Sequence, residues 1–434
     1  MQKLKILAHY LQRKHGYRFE SREALERWQE QRVRQHVAWV RAKSPFYRER
    51  WGELPDTAWR DFESIDKAAM MANFDALNTV GLSKEEGFRI ALEAERSREF
   101  SPTWKGITIG LSSGTSGHRG LFLVSPEERT AWAGTILAKV LPSSILAKQR
   151  IAFFLRANSN LYTTVGSKRM RFEFFDLLEA LDDNLSRLDA LKPTLLVAPP
   201  SMLRLLAEAQ QQGRLAIAPT KIVSVAEVLE SIDEAFLKGV FGQTIHQVYQ
   251  ATEGFLAVTC SEGTLHLNED MALFEKEWVD AERRVFMPII TDFTRKTQPI
   301  VRYRLNDLLV ERAEPCPCGS VQTALDRIEG RSDDLCYWPA RDGGKPVPVF
   351  PDFIRRAILM ASPAIREYRV LQLAPDTLEV QLRAEGDVEE AVRQQLHALA
   401  QRLGCASPTA HFTPYQAPTA GQKLRRIERR FERQ

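Results

Sequence analysis

No stretch of this chain approaches the roughly 20 consecutive apolar residues that a membrane-spanning helix needs, so no membrane segment is expected. Cysteine is scarce, five in 434 residues, which argues against a disulfide framework in a chain of this length. A strong charge of either sign is also missing. Sixty Lys and Arg face 56 Asp and Glu, and the formal net charge of +4 lacks the marked basic excess of a dedicated nucleic-acid binder. The opening segment, residues 1–17, has only a short apolar run broken by His9, and no small-residue cleavage site. It does not read as a signal peptide. Internal repeats and low-complexity segments are absent. These absences predict a cytoplasmic globular protein without nucleic-acid or membrane partners.

What is present is ample core material: 44% hydrophobic residues against 27% charged. The length suggests two domains or three. Residues 21–43 read as a helix, with Ser21 as cap, Leu25, Trp28, Val33, Val37 and Val40 near helical spacing, and Pro45 beyond its end. Helical pattern continues to about residue 100. From Gly106 to Arg312 short apolar runs at Ile151, Thr194 and Lys221 alternate with helical stretches, one opening at Ser201 after Pro199 and Pro200. That alternation predicts an α/β sheet with crossover connections. Residues 283–312 read as successive strands, so part of the sheet is expected to be antiparallel. The remainder reads as a small α+β unit of two strands, a helix over about 387–403, and a last strand. The expected division is a large body over 1–332, with 1–100 mostly helical, and a smaller domain over 333–434.

Three features carry chemistry. The loop Leu111–Gly120 offers hydroxyls at Ser112, Ser113, Thr115 and Ser116 and glycines at Gly114 and Gly117, a composition whose free backbone N–H groups can wrap a polyphosphate. It lacks the Gly-Lys-Ser/Thr ending of the common phosphate loop, and a turn of this composition alone is more often a plain surface loop than a phosphate site. Cys260, His266, Cys316 and Cys318 are thiolate and imidazole donors whose number suits a closed tetrahedral zinc site, although the spacings match no standard finger. Cys260 as a nucleophile is the lesser alternative, since no acyl-enzyme machinery surrounds it. Cys336 and Cys405 are expected to be buried and inert. The basic tail after Leu424 is interrupted by Glu428 and Glu432, which argues against an RNA- or membrane-binding run.

Further segments lie in order beyond the loop: Tyr249-Gln250-Ala251-Thr252-Glu253, then Tyr303-Arg304-Leu305-Asn306-Asp307, then Gly330-Arg331-Ser332-Asp333, and last Gly421-Gln422-Lys423. Together they resemble the adenylate-forming superfamily of acyl- and aryl-CoA synthetases and adenylation domains. Phe62–Thr79, Ser224–Glu230 and Glu314–Ser320 resemble its phenylacetate–CoA ligase branch, including the capsule-biosynthesis-like and deazaflavin-adenylating synthetases. The chain departs from that pattern at His118-Arg119-Gly120, where many relatives carry Lys-Pro-Lys, and at Gln250 and Asn306, where glycine is common.

The resemblance implies a large α/β body with a helical N-terminal cap and a small mobile C-terminal α+β lid hinged at Asp333. The active site would lie at their junction. It implies ATP-dependent adenylation of a small, aromatic carboxylic acid, release of pyrophosphate, and transfer to coenzyme A or a carrier protein. The alternative is an adenylyltransferase that leaves AMP on a hydroxyl acceptor. A silent nucleotide-binding protein is disfavoured by intact Glu253, Asp307 and Lys423. In chemical terms Glu253, beside Thr252, is a hard oxygen ligand for magnesium. Tyr249 offers a face to adenine, and Asp307 can accept from ribose hydroxyls. Lys423 can place a point charge between the acid oxygen and the α-phosphate. Ala226, Glu227 and Arg331 join the nucleotide site by resemblance, which also supports zinc at the Cys/His set. A homodimer is compatible with all of this.

Overall fold

The computed structural model describes residues 2–97, 101–112, 119–155, 168–177, 179–331, 334–417 and 424–431. It divides into two compact units, residues 1–305 with 310–327, and residues 306–309 with 328–434.

The first unit opens with helices, among them Gln2–Leu11, Arg22–Lys43, Pro45–Trp51 and Lys84–Ser97. The Arg22–Lys43 helix starts where expected, with Ser21 Oγ accepting from the Ala24 N–H. A three-stranded sheet follows, made of β1 (Thr103–Trp104), β2 (Ile107–Leu111) and β3 (Leu121–Val124), in that order. The β2–β3 hairpin carries the glycine-rich loop between its strands.

The large sheet begins with five parallel strands, β4 (Gln149–Leu155), β5 (Met170–Asp176), β6 (Leu195–Ala198), β7 (Lys221–Ser224) and β8 (Ile245–Gln250), in the order β5-β4-β6-β7-β8. Their apolar runs alternate cleanly between two cores. Ala152, Phe154, Leu196, Ala198 and Ile222 face the helices Leu181–Leu191, Pro200–Gln211 and Ser231–Phe241. Ile151, Leu195, Val197 and Val223 face the helices Gln2–Leu11 and Pro126–Val140, through Ile6, Tyr10, Ala133 and Leu137. This is a three-layer α/β/α arrangement.

From β8 the sheet continues antiparallel through β9 (Phe255–Thr259) and β10 (Leu265–Leu267), with β11 (Ala272–Asp280), β12 (Val285–Asp292), β13 (Ile300–Arg304), β14 (Asp307–Glu311) and β15 (Ala324–Arg331) beyond. The chain passes between the two units within β14 and β15.

The second unit adds a ribbon of β16 (Cys336–Trp338) and β17 (Val347–Val349), and a four-stranded sheet of β18 (Ile365–Ala374), β19 (Thr377–Ala384), β20 (Thr409–Pro414) and β21 (Ile427–Arg429) in the order β20-β19-β18-β21. Helices Pro351–Ala361 and Glu389–Arg402 share one core with this sheet, with Trp338, Ile354, Tyr368, Val380 and Leu396 at its centre. Cys336 and Cys405 are buried there, as expected. The unit is richer than its sequence suggested. The helix Pro351–Ala361, the ribbon and β21 are all additional, and β21 lies inside the segment read as a charged tail.

Candidate active site and metal centre

In an open parallel sheet, ligands bind beyond the carboxyl ends of the strands. Three neighbouring strand ends here carry the residues singled out by sequence. β6 runs into Pro199 and Ser201, β7 into Val225, Ala226 and Glu227, and β8 into Thr252 and Glu253. Ala226 sits at φ 68°, in the left-handed region that non-glycine residues rarely adopt. The turn is held by Glu227, whose carboxylate accepts from the Ser201 N–H and the Ser201 hydroxyl, both at 3.1 Å. A carboxylate at the start of the Pro200–Gln211 helix is favoured by the helix dipole, and it locks the β6 and β7 ends together.

At the β8 end both oxygens of Glu253 are oriented. Oε2 accepts from Thr252 Oγ1 at 2.7 Å and Oε1 from the Tyr303 hydroxyl at 2.9 Å. Burial, reinforced by the Glu253 carboxylate, pushes the Tyr303 phenol far above its ordinary pKa, so it stays a donor. A carboxylate has about four acceptor sites, which leaves Glu253 capacity for a cation. Tyr249 is buried within β8.

The neck of the glycine-rich loop is closed by Ser112 and Gly120. The Ser112 N–H donates to the Gly120 carbonyl at 2.8 Å, and Ser112 Oγ accepts from the Gly120 N–H at 2.7 Å. Ser113, Gly114, Thr115, Ser116 and Gly117 lie outside the described residues. Arg119, where relatives carry a proline between lysines, is turned to Glu95 in a two-pronged pair at 2.6 and 3.0 Å. A lysine reaches the loop from elsewhere: Lys67 Nζ donates to Ser112 Oγ at 3.0 Å. Sequence reasoning passed over Lys67, which belongs to the Phe62–Thr79 segment. Its local signal was the cap residue Asp66 opening a short helix.

Within the second unit Asp307 Oδ1 lies 3.7 Å from Arg331 Nε. Asp333 and Lys423 fall outside the described residues. Their neighbours Asp334 and Arg425 form an ion pair, and Arg426 makes a nearly solvent-free pair with Glu367 at 2.7 Å.

Cys260, His266, Cys316 and Cys318 converge, their ligand atoms all within 4.8 Å of one another. Cys260 Sγ is 3.8 Å from Cys316 Sγ, and Cys318 Sγ is 3.4 Å from His266 Nε2. Tetrahedral zinc with ordinary bond lengths sets such edges at about 3.5–3.8 Å, so the donor set fits that ion. His266 Nδ1 lies 3.1 Å from the Gln322 carbonyl, an orientation that leaves Nε2 for a metal. Burial raises the Cys316 thiol, but hydrogen bonds from Thr264, the Cys318 backbone and His266 outweigh it and bring it down to about 6. Cys318 is pushed up to about 11, by burial first and then by its cysteine neighbours. A shared cation would favour the thiolate form of each cysteine.

No family model matches the chain. It is 27% identical over 171 residues to the phenylacetate-coenzyme A ligase of Thermus thermophilus, a match covering 34% of this chain and 37% of that protein. Among solved structures, it is similar to 2-hydroxyisobutyryl-CoA ligase in the postadenylation state with a bound acyl-AMP, at 16% identity and TM-score 0.68, over 94% of this chain and 89% of that one. The anthranilate CoA ligase AuaEII with anthranoyl-AMP is a further likeness, at 16% identity and TM-score 0.51, over 73% and 66%. The amide bond synthetase McbA of Marinactinospora thermotolerans matches at 14% identity and TM-score 0.54, over 74% and 68%. The fold is therefore that of the adenylate-forming ligases. The sequence likeness, over about a third of each chain, is to one phenylacetate-coenzyme A ligase.

Proposed function

We propose that this chain is an ATP-dependent, AMP-forming acid–thiol ligase. The observation that carries the reading is the Thr252-Glu253 turn and the Ala226-Glu227 turn on the carboxyl ends of two adjacent parallel strands, in a chain with the adenylate-forming fold.

A carboxylate oxygen of a small, aromatic acid attacks the α-phosphorus of ATP, an acyl–O–P bond forms, and pyrophosphate leaves with its electron pair. The glycine-rich loop from Ser112 to Gly117 holds the polyphosphate through backbone N–H groups. Tyr249, Ala226 and Glu227 border the adenine, while Asp307 and Arg331 serve the ribose. Glu253, oriented by Thr252 and Tyr303, would hold magnesium, which would supply positive charge to the departing pyrophosphate. Lys423 holds the acid oxygen and α-phosphate together. The segment 333–434 then acts as a lid turning about Asp333 and withdrawing Lys423, so that the thiol of coenzyme A or a carrier protein can attack the acyl carbon and expel AMP. Cys260, His266, Cys316 and Cys318 hold a structural zinc away from these steps. Pyrophosphate exchange into ATP across a panel of carboxylic acids, without any thiol, tests the reading.

A further inference from the structure

The loop that would hold the phosphates and the loop that would hold their magnesium come from distant stretches of sequence, and a single turn is bonded to the strand or peptide that carries each. That turn runs from Asp292, at the end of β12, to Gln298. Arg295 lies at its middle, with its N–H donating to the Asp292 carbonyl at 3.3 Å. Its guanidinium spans two backbone carbonyls: Nη1 donates to Thr252 at 3.3 Å and Nη2 to Leu123 at 3.1 Å. Thr252 immediately precedes Glu253, and Leu123 stands in β3, the strand that leaves the glycine-rich loop.

The rest of the turn reinforces the same two attachments. Fully buried Gln298 pairs along β3, its Oε1 accepting from the Leu123 N–H at 2.9 Å and its Nε2 donating to the Leu121 carbonyl at 3.1 Å. Glu128 accepts from the N–H groups of Lys296 and Thr297 at 2.6 and 2.9 Å, and from the Thr297 hydroxyl at 2.5 Å. Buried Asp292 takes the N–H and hydroxyl of Thr294 on Oδ1. Its Oδ2 lies against Gly254, where a Cβ would come within 2.9 Å. Only glycine lets the residue after Glu253 approach this closely.

We infer that Arg295 is a positioning residue for adenylation, fixing the Thr252-Glu253 peptide to the hairpin that presents the glycine-rich loop. The inference rests on the adenylation reading above. A planar guanidinium can serve two carbonyls at once, whereas the ammonium of a lysine is a point donor on a flexible stem. With the bridge intact, the Thr252-Glu253 peptide and the β2–β3 hairpin keep one spacing. Without it, Gln298 still holds β3 and Asp292 still lies against Gly254, but no side chain spans the Thr252 and Leu123 carbonyls.

Arg295→Lys and Arg295→Ala, compared with the wild type, test this. The measurements are MgATP binding at equilibrium, the kcat and KM of acid-dependent pyrophosphate exchange, and amide hydrogen exchange in residues 107–112, 119–124 and 250–255. Both variants are expected to raise KM for MgATP and lower kcat by about tenfold or more, as a misplacement near one ångström does. KM for the acid should stay within about twofold, because the two carbonyls that Arg295 reaches belong to the loops assigned to magnesium and the phosphates. Amide exchange should quicken in those loop segments, and added guanidinium ion should partly restore Arg295→Ala. If Arg295→Ala does not fold, Arg295→Lys carries the comparison. A residue that only stabilises the fold would reduce the active fraction and leave KM for MgATP unchanged, and that result overturns the inference. If the wild type neither binds MgATP nor exchanges pyrophosphate, the adenylation reading fails and takes the inference with it. Wild-type binding with unaltered variants removes the inference alone.

Discussion

His36 is buried on the Arg22–Lys43 helix, where burial and the nearby charges of Lys296 and Arg32 bring its pKa down to about 3 against a weaker pull from Glu128. It is neutral when folded and takes a proton near pH 6.5 when unfolded. Between those values the unfolded state binds the extra proton, so stability falls as pH drops from about 6.5 towards 3, by at most about 1.4 kcal/mol per pH unit. Urea unfolding at pH 7 and pH 5.5 should show that loss, and His36→Phe should flatten it. Equal slopes for both proteins would mean that His36 is not the group responsible. The second residue-scale expectation concerns the motif lysine. Lys423→Ala should fold normally and lose about a hundredfold or more in adenylation rate, as loss of a fixed donor to developing charge typically does. A variant that adenylates at the wild-type rate would remove Lys423 from the adenylation chemistry.

At the scale of elements, the metal-site residues come from a hairpin and a distant turn. Cys260 and His266 flank the β9–β10 connection, and Cys316 and Cys318 lie in the turn between β14 and β15. β10 pairs with β15 at Leu265–Leu325, and this pairing brings the two pieces together. One zinc per chain is expected, and Cys316→Ser or Cys318→Ser should lower Tm and yield, because metal binding of this kind is folding free energy. Elemental analysis of reduced, purified protein showing no zinc would remove the site.

Three of the five parallel strands, β4, β6 and β7, were legible in sequence because each is a short, largely buried apolar run, whereas β5 and β8 carry several partly exposed positions and were not read. The partnership between the two cysteine-bearing segments was legible only as chemistry, since strand pairing is long-range. The C-terminal strand β21 was hidden for a related reason. Arg425, Arg426 and Glu428 read locally as a solvated charge run, yet they pair with Asp334, Glu367 and Arg369 respectively. Removing one partner of the buried Arg426–Glu367 pair typically costs about 3–5 kcal/mol, so this segment belongs to the folded unit. Lys67 and Arg295 escaped notice although Lys67 lies in the Phe62–Thr79 segment, because neither stands beside the loop it serves in sequence. Their importance comes from the carbonyl or hydroxyl each one reaches across the fold.

Over the whole molecule, the order of motifs along the chain and the order of strand ends in the sheet lead to one chemistry. Residues 224–227 and 250–253 are separated in sequence by a helix but leave neighbouring strands side by side. Among the described residues no helix is long and apolar enough to cross a membrane. The most direct measurement is exchange of labelled pyrophosphate into ATP with purified protein, magnesium and a panel of carboxylic acids, with no thiol present. A mixed acyl–phosphate anhydride forms reversibly while it stays bound, so a cognate acid should drive exchange well above the no-acid control. Adding coenzyme A or a carrier-protein thiol should then release free AMP and form a thioester. No exchange with any acid, together with a hydroxyl-bearing acceptor that gains the mass of AMP and keeps it after thiol addition, would contradict the ligase reading and identify an adenylyltransferase.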